Sequence, residues 1–141
     1  MTLSTRSIFT LTLAAGCALF TPVRAAMPSN PLSVHVLDLQ TGEPTAGIAV
    51  TLEQRSGNDW RQLSNAVTDA QGRVTALYPQ GQRLTGGSYR IVFRTGDHYA
   101  RLGKPSFFPQ IPVEFNVDAT DRHYHVPLLL SPFGYSTYRG N

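Results

Sequence analysis

The chain has 141 residues, a length typical of one domain, and its 12 Lys and Arg against 9 Asp and Glu give a formal charge of +3. Two of these arginines, Arg6 and Arg24, lie in a segment that we expect to be removed, which leaves 10 minus 9, or +1. So small a charge gives no indication of nucleic-acid binding. The single cysteine, Cys17, lies in the same segment, so a thiol nucleophile and a disulfide are excluded from the rest of the chain.

The first 26 residues have the pattern of a secretory signal peptide. Arg6 precedes an apolar run over residues 8–20 that is too short for a stable bilayer-spanning helix, and small residues follow at Ala25 and Ala26. We predict a signal peptide over residues 1–26, cleaved after Ala25 or Ala26, and one domain over residues 27–141. Such a leader predicts a periplasmic location in a host with an outer membrane, with no membrane contact once the leader is removed.

Lipid attachment at Cys17 is a second interpretation of this leader. Ala15 and Gly16 precede the cysteine, as small residues do in a lipobox. However, Ala14 stands where a lipobox prefers leucine, and apolar residues continue beyond Cys17. Removal of the whole leader is therefore the favoured interpretation.

Short stretches of alternating apolar and polar residues follow one another along the domain. This alternation predicts strands with one buried face. Strands are predicted over residues 32–38, 47–55, 60–68, 89–95, 113–117 and 123–130, a short helix over 97–103, and a turn at 131–134 before a polar, aromatic tail. Seven or eight short strands with one helix and no internal repeat predict an antiparallel β-sandwich.

Several histidines leave the predicted core. In the strand over residues 123–130, the apolar set that should enter the core is Tyr124, Val126, Leu128 and Leu130. The residues that should point outward are His123, His125, Pro127 and Leu129, and His35 leaves the core between Val34 and Val36. Any one of these histidines, taken alone, is an ordinary surface residue. An outward face that carries imidazoles and a leucine is more typical of an interface or the wall of a cleft.

A metal site is one use for such histidines. His123 and His125 should lie about 7 Å apart on one side of a strand, which suits a metal such as Zn²⁺ with His35 or His98 as a third ligand. No HExxH motif or cysteine accompanies them, so we predict neither a metal nor a cofactor. GxSxG, P-loop and GxGxxG motifs are also absent from the sequence. Composition and spacing alone therefore name no reaction.

Two stretches together resemble the transthyretin-like family, and in particular its 5-hydroxyisourate hydrolase branch. They are residues 35–44 (HVLDLQTGEP) and residues 124–140 (YHVPLLLSPFGYSTYRG). Between them, residues 68–73 (TDAQGR) and 107–109 (FFP) are similar to further segments of the family. The resemblance thus runs through nearly the whole predicted domain in order, which makes it far more specific than a single short motif.

The resemblance implies a set of site residues that hormone-binding transthyretins lack. The implied catalytic residues are His35, Arg73 and His125, and the implied substrate-binding residues are His35, Arg73, Tyr138, Arg139 and Gly140. His123 is not among them and is expected to be a structural or surface residue. Asn141 departs from the family, which usually ends in serine, although asparagine can also donate and accept hydrogen bonds.

The activity implied is opening of the cyclic amide of 5-hydroxyisourate, a product of urate oxidation, to give 2-oxo-4-hydroxy-4-carboxy-5-ureidoimidazoline. The family also implies a homotetramer, a dimer of dimers, with active sites in a channel where the dimers meet. Histidine titrates near neutral pH, so His35 and His125 are expected to activate water, and Arg73 to hold the substrate and stabilise charge. The alternatives are a non-catalytic periplasmic carrier of a small ligand and a structural sandwich of the cell envelope.

Overall fold

Two four-stranded sheets make up the part of the chain that the computed structural model describes, residues 29–141. The predicted signal peptide lies outside the described residues. The elements in chain order are β1 (Leu32–Asp38), β2 (Ala49–Ser56), β3 (Asp59–Val67), β4 (Arg73–Val74), β5 (Gly87–Phe93), α1 (Thr95–Arg101), β6 (Ile111–Val117), β7 (Tyr124–Ser131) and β8 (Gly134–Thr137). The first sheet has the strand order β4-β1-β7-β8, and the second has the order β3-β2-β5-β6.

The predicted β-sandwich is confirmed, with one pairing that alternation does not reveal. β1 and β7 run parallel, whereas the other strand pairs are antiparallel. A parallel pair requires a long connection, and here that connection contains the whole second sheet. The first and last long strands of the domain therefore lie side by side in the middle of the first sheet.

The core lies between the sheets and is built from the predicted alternate residues. Fully buried side chains include Val34, Val36, Ile48, Leu52, Tyr89, Ile91, Phe93, Leu128 and Leu130. The predicted inward set of β7 is confirmed, because Tyr124 and Val126 are also buried. Since side chains alternate along a strand, the residues between these positions must lie on the outer face of the first sheet.

Element boundaries differ from the prediction where tertiary contacts decide them. The helix begins at Thr95 rather than Asp97, because the buried Thr95 hydroxyl donates to the carbonyl of Phe108 (3.0 Å) and Gly96 packs against the backbone of Pro109. β6 begins before Pro112, and proline is tolerated there because β6 is an edge strand. Within residues 29–141, no helix has the length and apolarity needed to cross a membrane.

Candidate active site

Three predicted site residues meet on the outer face of the first sheet. His35 on β1 lies directly opposite Arg73 on β4, and β1 pairs with β7 so that His35 is adjacent to Pro127, two residues from His125. The centroids of the His35 and His125 rings are 6.5 Å apart. Strand pairing thus brings together side chains that are far apart in the sequence.

A tight turn sets the position of Arg73. The Asp69 carboxylate accepts hydrogen bonds from the backbone N–H groups of Gln71 (2.8 Å) and Arg73 (2.9 Å). Gly72 has a φ of 68°, and a Cβ at this position would collide with the carbonyl oxygen of Val36, so the turn requires glycine. In the part of the chain that the structure describes, no carboxylate forms an ion pair with Arg73.

The C-terminal tail lies over His125. The Gly140 N–H donates to the carbonyl of His125 (2.9 Å), and the Thr137 hydroxyl donates to the carbonyl of Pro127 (2.8 Å). A Cβ on Gly140 would lie 2.5 Å from Cδ2 of His125 and 3.2 Å from Cγ of Pro127. The tail backbone is therefore in contact with the imidazole, and Pro127 is buried although it faces outward.

Tyr138 and Arg139 lie on another side of His125. With His125 they line a cleft of about 240 Å³ between the tail and β6, whose other lining residues include Glu114 and Asn116. The Arg139 guanidinium lies 5.3 Å from the centroid of the Tyr124 ring. His35 and Arg73 do not line this cleft. His125 is thus the residue shared by the cleft and the His35–Arg73 face.

Ser33 contacts His125 and links it to His123, and the sequence alone does not reveal this link. Ser33 Oγ lies 2.7 Å from Nε2 of His123 and 2.8 Å from Nδ1 of His125, and His123 Nδ1 lies 2.9 Å from the carbonyl oxygen of Asn30. Ser33 carries no signal in the sequence, because only the register of the β1–β7 pair places it opposite His125. His123 is exposed, as expected, but both of its ring nitrogens have partners.

One nitrogen of His35 is buried without a partner. Within residues 29–141, His35 Nε2 is the buried side-chain nitrogen or oxygen that makes no hydrogen bond. A buried polar atom of this kind costs about 1–3 kcal/mol, and such atoms are uncommon in folded proteins. A functional role is one established reason for such an unpaired atom, so this nitrogen marks His35 as a candidate site residue.

Both histidines of the site are held in their neutral form. Burial lowers the pKa of His35, and the nearby charge of Arg73 lowers it further, against smaller opposing effects of the Gln71 backbone and Asp69. Burial also lowers the pKa of His125, followed by the charges of Arg73, His123 and His35, against a smaller opposing effect of the Ser33 backbone. A neutral imidazole can accept a proton, so the surroundings of both rings favour general-base chemistry at neutral pH.

The histidines are not arranged as a metal site. Among residues 29–141, no three His, Cys, Asp or Glu side chains form a group that could hold a metal ion. His123 Nε2 and His125 Nδ1 both contact the Ser33 hydroxyl, so a hydroxyl group occupies the point where these two nitrogens meet. His98 lies on α1, where its charged neighbours are Arg101, Lys104 and Asp38.

Comparison with known proteins shows the family to which the chain belongs. Residues 32–140 match the HIUase/Transthyretin family. The chain belongs to that family. The resemblance found in the sequence is thereby confirmed, and the matched span of this HIUase/Transthyretin family member runs from β1 to the tail that covers His125.

Relatives of both branches of the family share the fold. A 5-hydroxyisourate hydrolase of Salmonella typhi is 52% identical over 116 residues, covering 82% of this chain and 85% of the relative. The structure of Klebsiella pneumoniae 5-hydroxyisourate hydrolase matches with a TM-score of 0.70 at 37% identity, over 79% of this chain and 99% of that one. Transthyretin from Sparus aurata matches with a TM-score of 0.72 at 33% identity, over 78% and 96% of the two chains. Because both branches fit the fold equally well, the activity has to be argued from side chains and sequence identity.

Proposed function

We propose that this member of the HIUase/Transthyretin family hydrolyses 5-hydroxyisourate, the substrate in the name of its Salmonella relative. The observation that carries the proposal is the convergence of His35, Arg73 and His125 from three strands onto one face. Two neutral imidazoles and an arginine without an ion-pair partner among residues 29–141 make an unusual surface for a carrier. They supply what hydrolysis of an anionic cyclic amide needs.

The reaction follows from these groups. A neutral imidazole accepts a proton from water as the water oxygen attacks the amide carbonyl carbon. The Arg73 guanidinium, which keeps its charge, stabilises the oxyanion that develops and binds the carbonyl-rich substrate through paired N–H donors. The ring C–N bond then breaks, and the proton held by the imidazole goes to the departing nitrogen. The sum is addition of one water across one bond, with no oxidant or reductant.

We infer that other copies of the chain complete the site. In one chain Arg73 is exposed on the outer face, and the cleft at His125 lies between β6 and the tail, at the edges of the two sheets. β6 and β8 are edge strands of the two sheets, and both flank this cleft with one side unpaired within residues 29–141. Free strand edges pair readily with another chain. These features support a dimer through the edges, and a dimer of dimers that covers the outer face.

Light scattering coupled to size exclusion tests this assembly. We expect the mass of four processed chains, with activity that falls when dilution shifts the mass toward smaller species. A fully active monomer would contradict the inferred assembly but would leave the proposed reaction standing.

Export to the periplasm is part of the proposal and rests on the leader pattern of residues 1–26. Cell fractionation and N-terminal sequencing test it. We expect the protein in the periplasmic fraction with a first residue of Ala26 or Met27. An intact Met1 in the cytoplasmic fraction would refute it.

The activity is tested with purified protein and freshly generated 5-hydroxyisourate. We expect loss of substrate ultraviolet absorbance well above the spontaneous decay, and loss of this acceleration in His125→Ala. His98→Ala is the matched control, because this half-buried histidine lies on α1 outside the site. A folded protein without acceleration would favour the alternative of a small-ligand carrier, whereas an unchanged rate in His125→Ala would refute the role given to His125.

A further inference from the structure

We propose that Ser33 and His123 are positioning residues that hold His125 in a single tautomer, with its proton on Nδ1 and its lone pair on Nε2. The proposal rests on the hydrolase function above and extends it to two residues that the family resemblance leaves without a role. It also selects, at His125, the atom that receives the proton of water. His125 is the last member of a series of three hydrogen bonds that starts at the backbone carbonyl of Asn30.

The direction of the first hydrogen bond is set by a backbone carbonyl. A carbonyl oxygen can only accept, so the 2.9 Å contact between His123 Nδ1 and Asn30 O requires a proton on Nδ1. An imidazole that carries its proton on Nδ1 has its lone pair on Nε2. This nitrogen lies 2.7 Å from Ser33 Oγ and must accept the serine proton.

The direction of the remaining bond follows from the single proton of a hydroxyl. Because the Ser33 proton is given to His123, Ser33 can only accept from His125. The 2.8 Å contact therefore places a proton on His125 Nδ1. A neutral His125 then carries its lone pair on Nε2, which makes no hydrogen bond within residues 29–141 and is free to act as a base.

Burial of Ser33 and the register of β1 with β7 fix the positions of the three residues that share these hydrogen bonds. Ser33 is buried, with 9% of its surface exposed, although it lies on the outer face of the sheet. It is the direct Cα partner of His125 in the parallel pair, and His123 precedes His125 by two residues on the same face. A buried hydroxyl loses its contacts with water, so its two imidazole partners strongly favour this arrangement over other rotamers.

A neutral hydroxyl beside His125 has a chemical advantage over a carboxylate at the same place. In serine proteases an aspartate orients the histidine and stabilises the imidazolium. A negative charge at Ser33 would raise the pKa of His125, whereas burial and the charges of Arg73, His123 and His35 lower it. A hydroxyl carries no full negative charge, so it orients the ring while burial and the nearby charges still lower the pKa of His125, against a smaller opposing effect of the Ser33 backbone.

Nitrogen NMR of ¹⁵N-histidine-labelled protein tests the proposal without substrate. We expect an unprotonated type of signal for His125 Nε2 and a protonated type for Nδ1 in the parent protein, and a tautomer mixture in Ser33→Ala. The matched control is Ser88→Ala, which removes a serine hydroxyl bonded to Asn116 on the second sheet. A predominant Nε2–H tautomer in the parent protein, or an unchanged spectrum in Ser33→Ala, would overturn the proposal.

Kinetics with 5-hydroxyisourate provide the second measurement. Loss of a hydrogen bond to a histidine that becomes charged should lower kcat by about 10- to 100-fold, with little change in KM. We expect this in Ser33→Ala and His123→Phe, and substantial recovery in His123→Gln, whose side-chain oxygen can again accept from Ser33. Equal activity of the Phe and Gln variants would contradict the proposed hydrogen bonds from His125 through Ser33 to His123. A parent protein with no activity would instead refute the proposed function, and the NMR result would stand independently.

Discussion

Replacement of Gly140 by alanine tests whether the tail is built against the imidazole of His125. The added Cβ would lie 2.5 Å from His125 Cδ2, whereas ordinary van der Waals contacts begin at 3.4 Å. Relief of the overlap requires a movement of 3.4 minus 2.5, or about 0.9 Å. Either the ring turns, which breaks its alignment with Ser33, or the tail lifts, which breaks the bond from Gly140 N–H to the His125 carbonyl.

The two possible movements have the same kinetic consequence and a limited effect on stability. Misplacement of a catalytic group by about 1 Å can cost about 100-fold in rate, so we expect kcat/KM to fall by one to two orders of magnitude. Residues 138–141 are exposed or half-buried, so they can lift without disturbing the core. Loss of one or two hydrogen bonds should therefore lower the free energy of unfolding by only about 1–2 kcal/mol.

Gly134→Ala is the matched control in the same hairpin. Its Cβ would meet only Ser131 Oγ, at 3.6 Å, and Gly134 does not have a positive φ. The assay is the absorbance decay of 5-hydroxyisourate, with a urea melt of each variant. Full activity of Gly140→Ala, or an equal loss in Gly134→Ala, would refute the argument that contact between the tail and His125 is needed for turnover.

Three further predictions concern the site and the core. Alanine replacement of His35, Arg73 or His125 should lower kcat/KM at least tenfold, a loss of about 1.4 kcal/mol of transition-state stabilisation. Full activity in all three variants would disprove the assignment of these residues to the site. The acid limb of the pH profile of kcat/KM should lie below pH 6.5, because both histidines have a pKa below that ordinary value. Arg73→Gln should move the acid limb to higher pH, because it removes a positive charge beside the histidines. A shift of the limb to lower pH would contradict this effect of Arg73. Leu128→Ala should lower the free energy of unfolding by about 2–5 kcal/mol in urea melts, because Leu128 is fully buried, while the half-buried Leu129 should cost less on the same change; equal losses would show that the assigned faces of β7 are wrong.

The lowered histidine pKa values also affect stability. Below pH 6.5 the unfolded chain takes up protons at these histidines before the folded protein does. Their contribution to stability is therefore present above pH 6.5 and is lost as the pH falls toward the lowered pKa values. A thermal melting series from pH 8 to pH 5 should show this decline, and His35→Gln should reduce it.

The faces of the strands could be predicted because alternation is a local property. Val34 and Val36, like Val126 and Leu128, mark the buried side of their strands, so the outward direction of His35 and His125 follows from neighbouring residues. The start of the helix could not be predicted in the same way, because it depends on the contact between Thr95 and Phe108.

The hydrogen bonds that join His125, Ser33 and His123 could not be predicted, because they depend on the alignment of two strands that are distant in the sequence. Ser33 and His125 are 92 positions apart in the chain, and a shift of the β1–β7 pair by one residue would turn one of them to the other face. A family motif names residues that recur, but it does not say which hydroxyl lies between two imidazoles. His123 was therefore expected to be only a structural or surface residue.

The parallel pairing of β1 with β7 means that the two ends of the domain must find each other before the first sheet exists. Contacts between residues this far apart in sequence have a high loop-closure entropy, and proteins rich in them fold slowly. A growing chain that lacks β7 has lost the central partner of β1 and cannot assemble the face that carries His35. Synthesis of the last strands therefore sets the earliest moment at which the first sheet can form.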